Sequence, residues 1–227
     1  MNRLALELST GEKSVAIQTA GGTVHERTWP EDRSKPDPLY EMLDAVRMDA
    51  GLSWEDLTGV IVGRGPGQYS GMRAAVSAAQ GLALPGGIPV TGVSSGAAQA
   101  WRMLREPGRG VVAILGDARR ERWWMGLFDL DQGALRSIAD WALYTGEDVV
   151  TAVSASTAYV VTSDWNRCSE ALQEMFAAPD LLHAGPFFPR ASDLLSLHES
   201  RTASGLPPES PLPIYLHPPV AAPKGRG

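Results

Sequence analysis

Apolar and polar positions alternate at the start of the chain. Leu4, Leu6 and Leu8 are interleaved with Ala5 and Glu7, and a second alternating run, Val15-Ala16-Ile17, follows the polar turn Ser9-Thr10-Gly11-Glu12. A period of two sends successive side chains to opposite faces of a strand, so this spacing predicts a hairpin. A third strand is expected from Gly22 to Trp29, entered by the Gly21-Gly22 turn, which makes an antiparallel meander before any helix. The period then lengthens. Leu39, Met42, Leu43, Val46 and Ala50 recur at helical spacing, giving one apolar face, and Gly51 stops the helix.

Further on, Val60-Ile61-Val62 reads as a buried strand, and Met72, Ala75, Val76, Ala79, Leu82 and Ala83 return to helical spacing. Ile88 to Val93 reads as a short strand, and Ser94 or Ser95 caps a helix running to about Arg105. Past the break at Glu106-Pro107-Gly108, strands are expected at Val111 to Leu115, Glu121 to Leu130 and Leu135 to Tyr144. From Thr145 the pattern weakens, leaving a strand at Tyr159 to Thr162 and helices near Ser169 to Ala177 and Ala191 to His198. The expected organisation is an N-terminal lobe over 1–106, a second lobe over 107–216 and a disordered Pro/Ala/Gly-rich tail over 217–227.

Composition agrees with a compact α/β molecule. The 227 residues are 44% hydrophobic, enough for a sizeable core. A net charge of -6 excludes the basic stripe of a stand-alone nucleic-acid binder. The single cysteine, Cys168, excludes an internal disulfide framework, and the N-terminus lacks the pattern of a signal peptide. No run approaches the roughly 18–20 apolar residues of a membrane helix. A soluble protein of the reducing cytoplasm is expected.

The stretch Gly63-Arg64-Gly65-Pro66-Gly67-Gln68-Tyr69-Ser70-Gly71-Met72-Arg73 joins the buried strand to an alanine-rich helix. A glycine-dense turn feeding a helix N-terminus suits a phosphate or carboxylate, because unpaired N–H groups and the positive dipole end gather there. It is neither a P-loop, since no lysine occurs between Lys35 and Lys224, nor a G-x-G-x-x-G fingerprint. Gly92-Val93-Ser94-Ser95-Gly96 satisfies the G-x-S-x-G spacing of a nucleophile elbow, although a serine at a helix start is more often a cap. His25, His183, His198 and His217 are scattered without metal-ligand spacing, so no metal site is expected. Glu7, beside Ser9 and Thr10, either orders a metal-phosphate group or fixes the hairpin. Asp117-Ala118-Arg119-Arg120-Glu121 reads as a charged turn, and of Trp123 and Trp124 at most one faces the core. Between Gly71 and Leu84 the helix is small-sided through Ala74, Ala75, Ser77, Ala78, Ala79 and Gly81, so another backbone can approach it, either the chain's own sheet or a helix-on-helix protein interface made together with the Leu39 to Ala50 helix.

The order of these motifs resembles the TsaB family, also called YeaZ. Leu4-Ala5-Leu6-Glu7-Leu8-Ser9-Thr10 is similar to the family's opening strand, and Gly63 to Arg73 to its GRGPGSFTGxR signature. Gly81-Leu82-Ala83, Ile88-Pro89-Val90, Gly92-Val93-Ser94-Ser95, Asp117-Ala118-Arg119-Arg120 and, near the end, Pro213-Ile214-Tyr215-Leu216 follow in the family's order. The chain departs from the pattern at Glu7, where the family has Asp, at Tyr69-Ser70 in place of Phe-Thr, and at Gly96 in place of leucine. The resemblance implies an actin-like fold, of the sugar-kinase, Hsp70 and ribonuclease H type, with two lobes and the second reduced.

It also implies a non-catalytic scaffold in threonylcarbamoyladenosine modification of tRNA. Such a subunit pairs with the catalytic paralogue TsaD and the ATPase TsaE, forms a homodimer when alone, and meets tRNA only through the complex. The implied partner surface comprises Leu39, Met42, Leu43, Val46, Met72, Ala75, Val76 and Ala79. A large charged side chain at Ala75 or Ala79 is then expected to spare the fold and abolish TsaD binding. The implied anion-proximal set is Glu7, Ser9, Thr10, Gly65, Gly67, Ser70, Gly71 and Arg73, with no cofactor held by this chain alone and with ATP or ADP and Mg belonging to the assembled complex. Two other readings stand beside it: a glycoprotease-like peptidase or serine hydrolase acting through Ser94, and an actin-like ATPase or small-molecule kinase using Glu7, Ser9, Thr10 and the glycine loop.

Overall fold

The structure is a computed structural model and describes residues 1–176 and 179–216. The expected tail, His217 and the end of the helix expected to reach Ala177 lie outside the described residues. The first sheet is built from β1 (Arg3–Glu7), β2 (Glu12–Gln18) and β3 (Val24–Pro30), then β4 (Gly59–Gly63) and β5 (Val90–Val93), with helix α1 (Leu39–Asp49) before β4 and α2 (Tyr69–Ala83) before β5. Its strand order is β3-β2-β1-β4-β5; β1, β4 and β5 are parallel and the meander is antiparallel. After α3 (Ser95–Leu104), the chain forms β6 (Val111–Asp117), β7 (Trp123–Asp131) and β8 (Ala134–Tyr144), helix α4 (Gly146–Ser156), β9 (Tyr159–Thr162) and α5 (Trp165–Met175). The second sheet runs β8-β7-β6-β9, with β6 and β9 parallel.

The second sheet repeats the order of the first without its last strand. Where that strand would lie, Leu182 makes one parallel bridge to Val160, and Phe187 N–H donates to the Thr162 carbonyl. This repeat is the α/β, actin-like architecture with a reduced second lobe.

Burial follows the strand period. Leu4, Leu6 and Leu8 face a core closed by α1 and α2, while Ala5 faces the opposite core with α3 and the last helix, α6 (Ala191–Ala203). Both faces of β1 are covered, which is why a parallel central strand reads as a nearly continuous apolar run. The layers therefore alternate: α1 and α2, first sheet, α3 and α6, second sheet, α4 and α5. Trp124 is buried and Trp123 half-buried, as strand alternation requires.

The two middle helices carry the joint between sheets. α3 follows the first sheet and packs on β6 and β7, whereas α6 follows the second and returns to β1 and β2. Between them, Arg102 donates to Asp193 at 2.6 Å and to the Phe188 carbonyl, and its guanidinium lies 4.0 Å from the Phe187 ring centroid. Desolvation lowers the Arg102 pKa. Burial raises Asp193 to about 6 against the pull of Arg102 and the Arg190 N–H.

The pattern reading missed α4. Its signal was present as a capping box: Thr145 Oγ1 accepts from the Asp148 N–H, and Asp148 accepts from the Thr145 N–H. Two valines alone, Val149 and Val153, bury that helix's inner face, too few for a periodic signature.

Candidate functional site

Glycines 63 and 71 set the geometry around the loop that joins β4 to α2. A Cβ on Gly71 would lie 1.8 Å from the Leu8 carbonyl oxygen, so only glycine lets the first turn of α2 press against the end of β1. A Cβ on Gly63 would lie 2.0 Å from Glu7 Oε2. The loop is fixed from the β5–α3 corner, where Ser94 Oγ donates to the Gly65 carbonyl at 3.0 Å and Ser95 Oγ accepts from the Gly65 N–H at 2.9 Å.

Ser94 is a cap. Its Oγ also accepts from the Ala97 N–H at 3.2 Å, and Gly96 is glycine because a Cβ there would meet the Trp141 indole at 2.3 Å. The G-x-S-x-G spacing thus arises from packing, and Ser94 has no histidine among its hydrogen-bond partners.

Glu7 is fully buried. Its Oε1 accepts the Ser9 N–H at 2.7 Å, which fixes the hairpin turn, while Oε2 makes no well-formed hydrogen bond among the described residues. Burial raises its pKa; the nearby Ser9 and Ser95 hydroxyls and the Ser9 N–H oppose that rise. Such a carboxyl is a poor cation ligand, and among the described residues no group of three or more His, Cys, Asp or Glu could hold a metal ion. Thr10 Oγ1 is committed to the Glu12 carbonyl at 2.8 Å.

A cavity of about 770 Å³ opens between the β1–β2 and β6–β7 turns. Ser9 and Gly67 of the anion-proximal set line it, as does Met72 of the partner set; Glu7, Thr10, Gly65, Ser70, Gly71 and Arg73 do not. Arg73 instead turns along α2, donating to the Tyr69 hydroxyl at 3.0 Å. The β6–β7 turn contributes Asp117, Ala118 and Arg119, with Arg119, Arg120 and Glu121 all at positive φ and the Arg119 N–H held by Asp117 at 2.7 Å.

The segment from Glu209 to Leu216 was missed as part of the site. The Glu209 carbonyl accepts the Gly92 N–H at the edge of β5, Arg64 Nε donates to the Leu212 carbonyl, and the Arg64 carbonyl accepts the Ile214 N–H. Ile214, Tyr215 and Leu216 then line the cavity, with the Tyr215 ring 5.3 Å from Tyr69. Arg64, read as part of a glycine turn, is thus a clamp on the far end of the chain. Nothing in local spacing connects positions so distant.

The partner set needs correction. Leu39, Leu43, Val46, Met72, Ala75 and Ala79 are buried against their own sheet, and Met42 and Val76 are half-buried. Periodicity identifies an apolar face, and in this chain that face is core. The expectation that a charged side chain at Ala75 or Ala79 spares the fold is overturned by their complete burial. The solvent-facing stripe of α2 is Ser70, Arg73, Ala74, Ser77, Gln80 and Leu84, and α1 exposes Tyr40, Asp44 and Met48.

A YeaZ structure from Pseudomonas aeruginosa superposes with a TM-score of 0.78 and 30% identity, over 95% of this chain and 99% of that one. The chain belongs to the TsaB (YeaZ) family. It also belongs to the wider family described as TsaD, tRNA N6-adenosine threonylcarbamoyltransferase, whose model matches residues 20–166. Two proteins named tRNA threonylcarbamoyladenosine biosynthesis protein TsaB are similar. That of Escherichia coli is 30% identical over 60% of this chain and 58% of its own length, and that of Haemophilus influenzae 26% identical over 94% and 92%. Among the described residues of this TsaB-family chain, no helix is long and apolar enough to cross a membrane.

Proposed function

We propose that this chain acts in threonylcarbamoyladenosine modification of tRNA as a non-catalytic scaffold. The observation that carries this reading is correspondence along the whole chain: the match to the Haemophilus influenzae TsaB spans 94% of this sequence. The scaffold pairs with TsaD in the cytoplasm, TsaE joins the pair, tRNA is met through the complex, and ATP or ADP with Mg belongs to that assembly. Alone, the chain forms a homodimer.

Docking uses the outer faces of α1 and α2, which cover the same side of the first sheet. Ala74 and Ser77 keep the α2 face low enough for a partner helix to approach closely, and Tyr40, Met48 and Leu84, each more than half exposed, supply apolar contacts beside it. The test is co-purification of TsaD with Ala74→Glu and Ser77→Arg variants. Loss of TsaD with an unchanged melting temperature supports the docking face; full retention by both variants removes it.

A further inference from the structure

Pro207, Pro208, Pro211 and Pro213 interrupt the segment that follows α6, and a proline has no N–H to give to a ladder. The chain from 206 to 216 therefore lays no continuous strand on β5 and attaches at separate points, its one bridge joining Glu209 to Gly92. A Cβ on Gly92 would lie 2.3 Å from the Ser210 carbonyl oxygen, so β5 is shaped to let this strap come close. The other points converge on Arg64. Its guanidinium donates to Glu209 and to the Leu212 carbonyl, its own carbonyl accepts the Ile214 N–H at 2.9 Å, and its N–H donates to the Val93 carbonyl at 2.9 Å.

Arg64 also belongs to the loop that feeds α2. With Gly63, Gly65 and Gly67 in it, that loop loses more conformational freedom on ordering than most loops of its length, and no side chain caps the first turn of the helix it enters. Its order is imposed from three sides. The Ser94 and Ser95 hydroxyls hold Gly65, the Ser9 carbonyl accepts the Gln68 N–H at 2.7 Å, and the strap holds Arg64 while its Tyr215 packs on Tyr69, the first residue of α2. The serine contacts are buried, whereas Leu212 and Tyr215 of the strap are more than half exposed. The strap is thus the hold that can let go, kept in place largely by Glu209 between Arg64 and Arg201 of the last turn of α6.

We propose that residues 209–216 are a detachable strap whose attachment keeps the glycine loop and the first turn of α2 in order, so that strap and loop open together. Opening of either one breaks the same contacts at Arg64 and Tyr69, so each stabilises the other by the same free energy. The consequence for TsaD rests on the scaffold reading, in which α2 carries the docking face: release of the strap loosens the helix start at Ser70 and Arg73 and weakens docking. The coupling itself is a property of the chain alone.

The test is amide hydrogen exchange on the full chain without a partner. Glu209→Gln speeds exchange at 209–216 by about tenfold, the loss of one hydrogen bond between charged groups, and exchange at 64–72 rises in step. Tyr215→Ala does the same from the other end of the strap and serves if Glu209→Gln misfolds. Amides of β6 and β9 keep their protection, which separates local release from a general loss of stability. The proposal is overturned if both variants speed 209–216 and leave 64–72 as in the parent, if neither moves 209–216, or if the second sheet speeds up equally. Co-purification with TsaD then tells the two readings apart. Retention by Glu209→Gln at the parent level while Ala74→Glu loses TsaD overturns the link to docking; retention by both variants removes the docking face and leaves the strap to be decided by exchange alone.

Discussion

Arg64, at the start of the glycine loop, is 2.7 Å from Glu209, which lies 145 residues later, and Glu209 also pairs with Arg201 at 2.9 Å. Both side chains of the Arg64–Glu209 pair are mostly shielded from solvent. With the Leu212 carbonyl as a second acceptor, Arg64 fastens the C-terminal segment along β5 and across the cavity.

Arg64→Ala removes charge-assisted hydrogen bonds worth about 1–3 kcal/mol. Amides from 209 to 214 should exchange faster with solvent deuterium, while those of β1 and β4 keep their protection. Unchanged exchange in the segment would show that backbone contacts alone hold it.

Ala74 and Ala75 are adjacent on α2, about 100° apart around its axis, and one is exposed while the other has no accessible surface. Ala75→Glu inserts a carboxylate into the core under α2 and should unfold the first lobe or cost several kcal/mol. Ala74→Glu should leave stability within about 0.5 kcal/mol of the parent. Thermal melts of the two variants, side by side, distinguish the core face from the docking face.

Gly71→Ala should destabilise by about 1–3 kcal/mol or more, since the new methyl overlaps the Leu8 carbonyl and α2 must move off β1. Chemical denaturation measures it. A neutral result would mean that α2 shifts freely at its N-terminus.

Asp193 gives stability a pH dependence. Its folded pKa of about 6 lies above the ordinary 3.8, so the folded state binds the proton more tightly. That contribution is present in full below about pH 4 and is lost as pH rises through about 6, amounting to about 3 kcal/mol at most. Asp193→Asn should flatten this part of the stability profile. A variant as steep between pH 4 and 6 as the parent would place the titration elsewhere.

Ser94→Ala should cost about 1 kcal/mol through loss of the α3 cap, and neither parent nor variant should be labelled by a fluorophosphonate. Labelling of the parent at Ser94 would revive the hydrolase reading.

The strand and helix periods of the first half were legible because α1 and α2 each bury one continuous face, while β1, buried on both faces, alternates large with small or polar residues. Leu4, Leu6 and Leu8 mark β1, and Leu39, Leu43 and Val46 mark α1. α4 was not legible by period, since its buried contribution is small, although Thr145 and Asp148 announced its start. Glu7, Ser9 and the glycine loop, singled out together in the sequence, lie beside one another, and the Glu7 carboxyl accepts the Ser9 N–H of the hairpin turn.

What the sequence determined by itself was local: element type, turn chemistry and which side chains avoid water, all set by periodicity and backbone sterics within a few residues. It could not say whether an apolar helix face meets its own sheet or a partner, because both remove the same surface from water. Tertiary structure decided that Leu43 and Ala79 are core, that α3 and α6 exchange between the two sheets, and that Arg64 holds Glu209. Those relations depend on chain closure over long separations, where any of several cations could have met that carboxylate until the sheet order put Arg64 beside it.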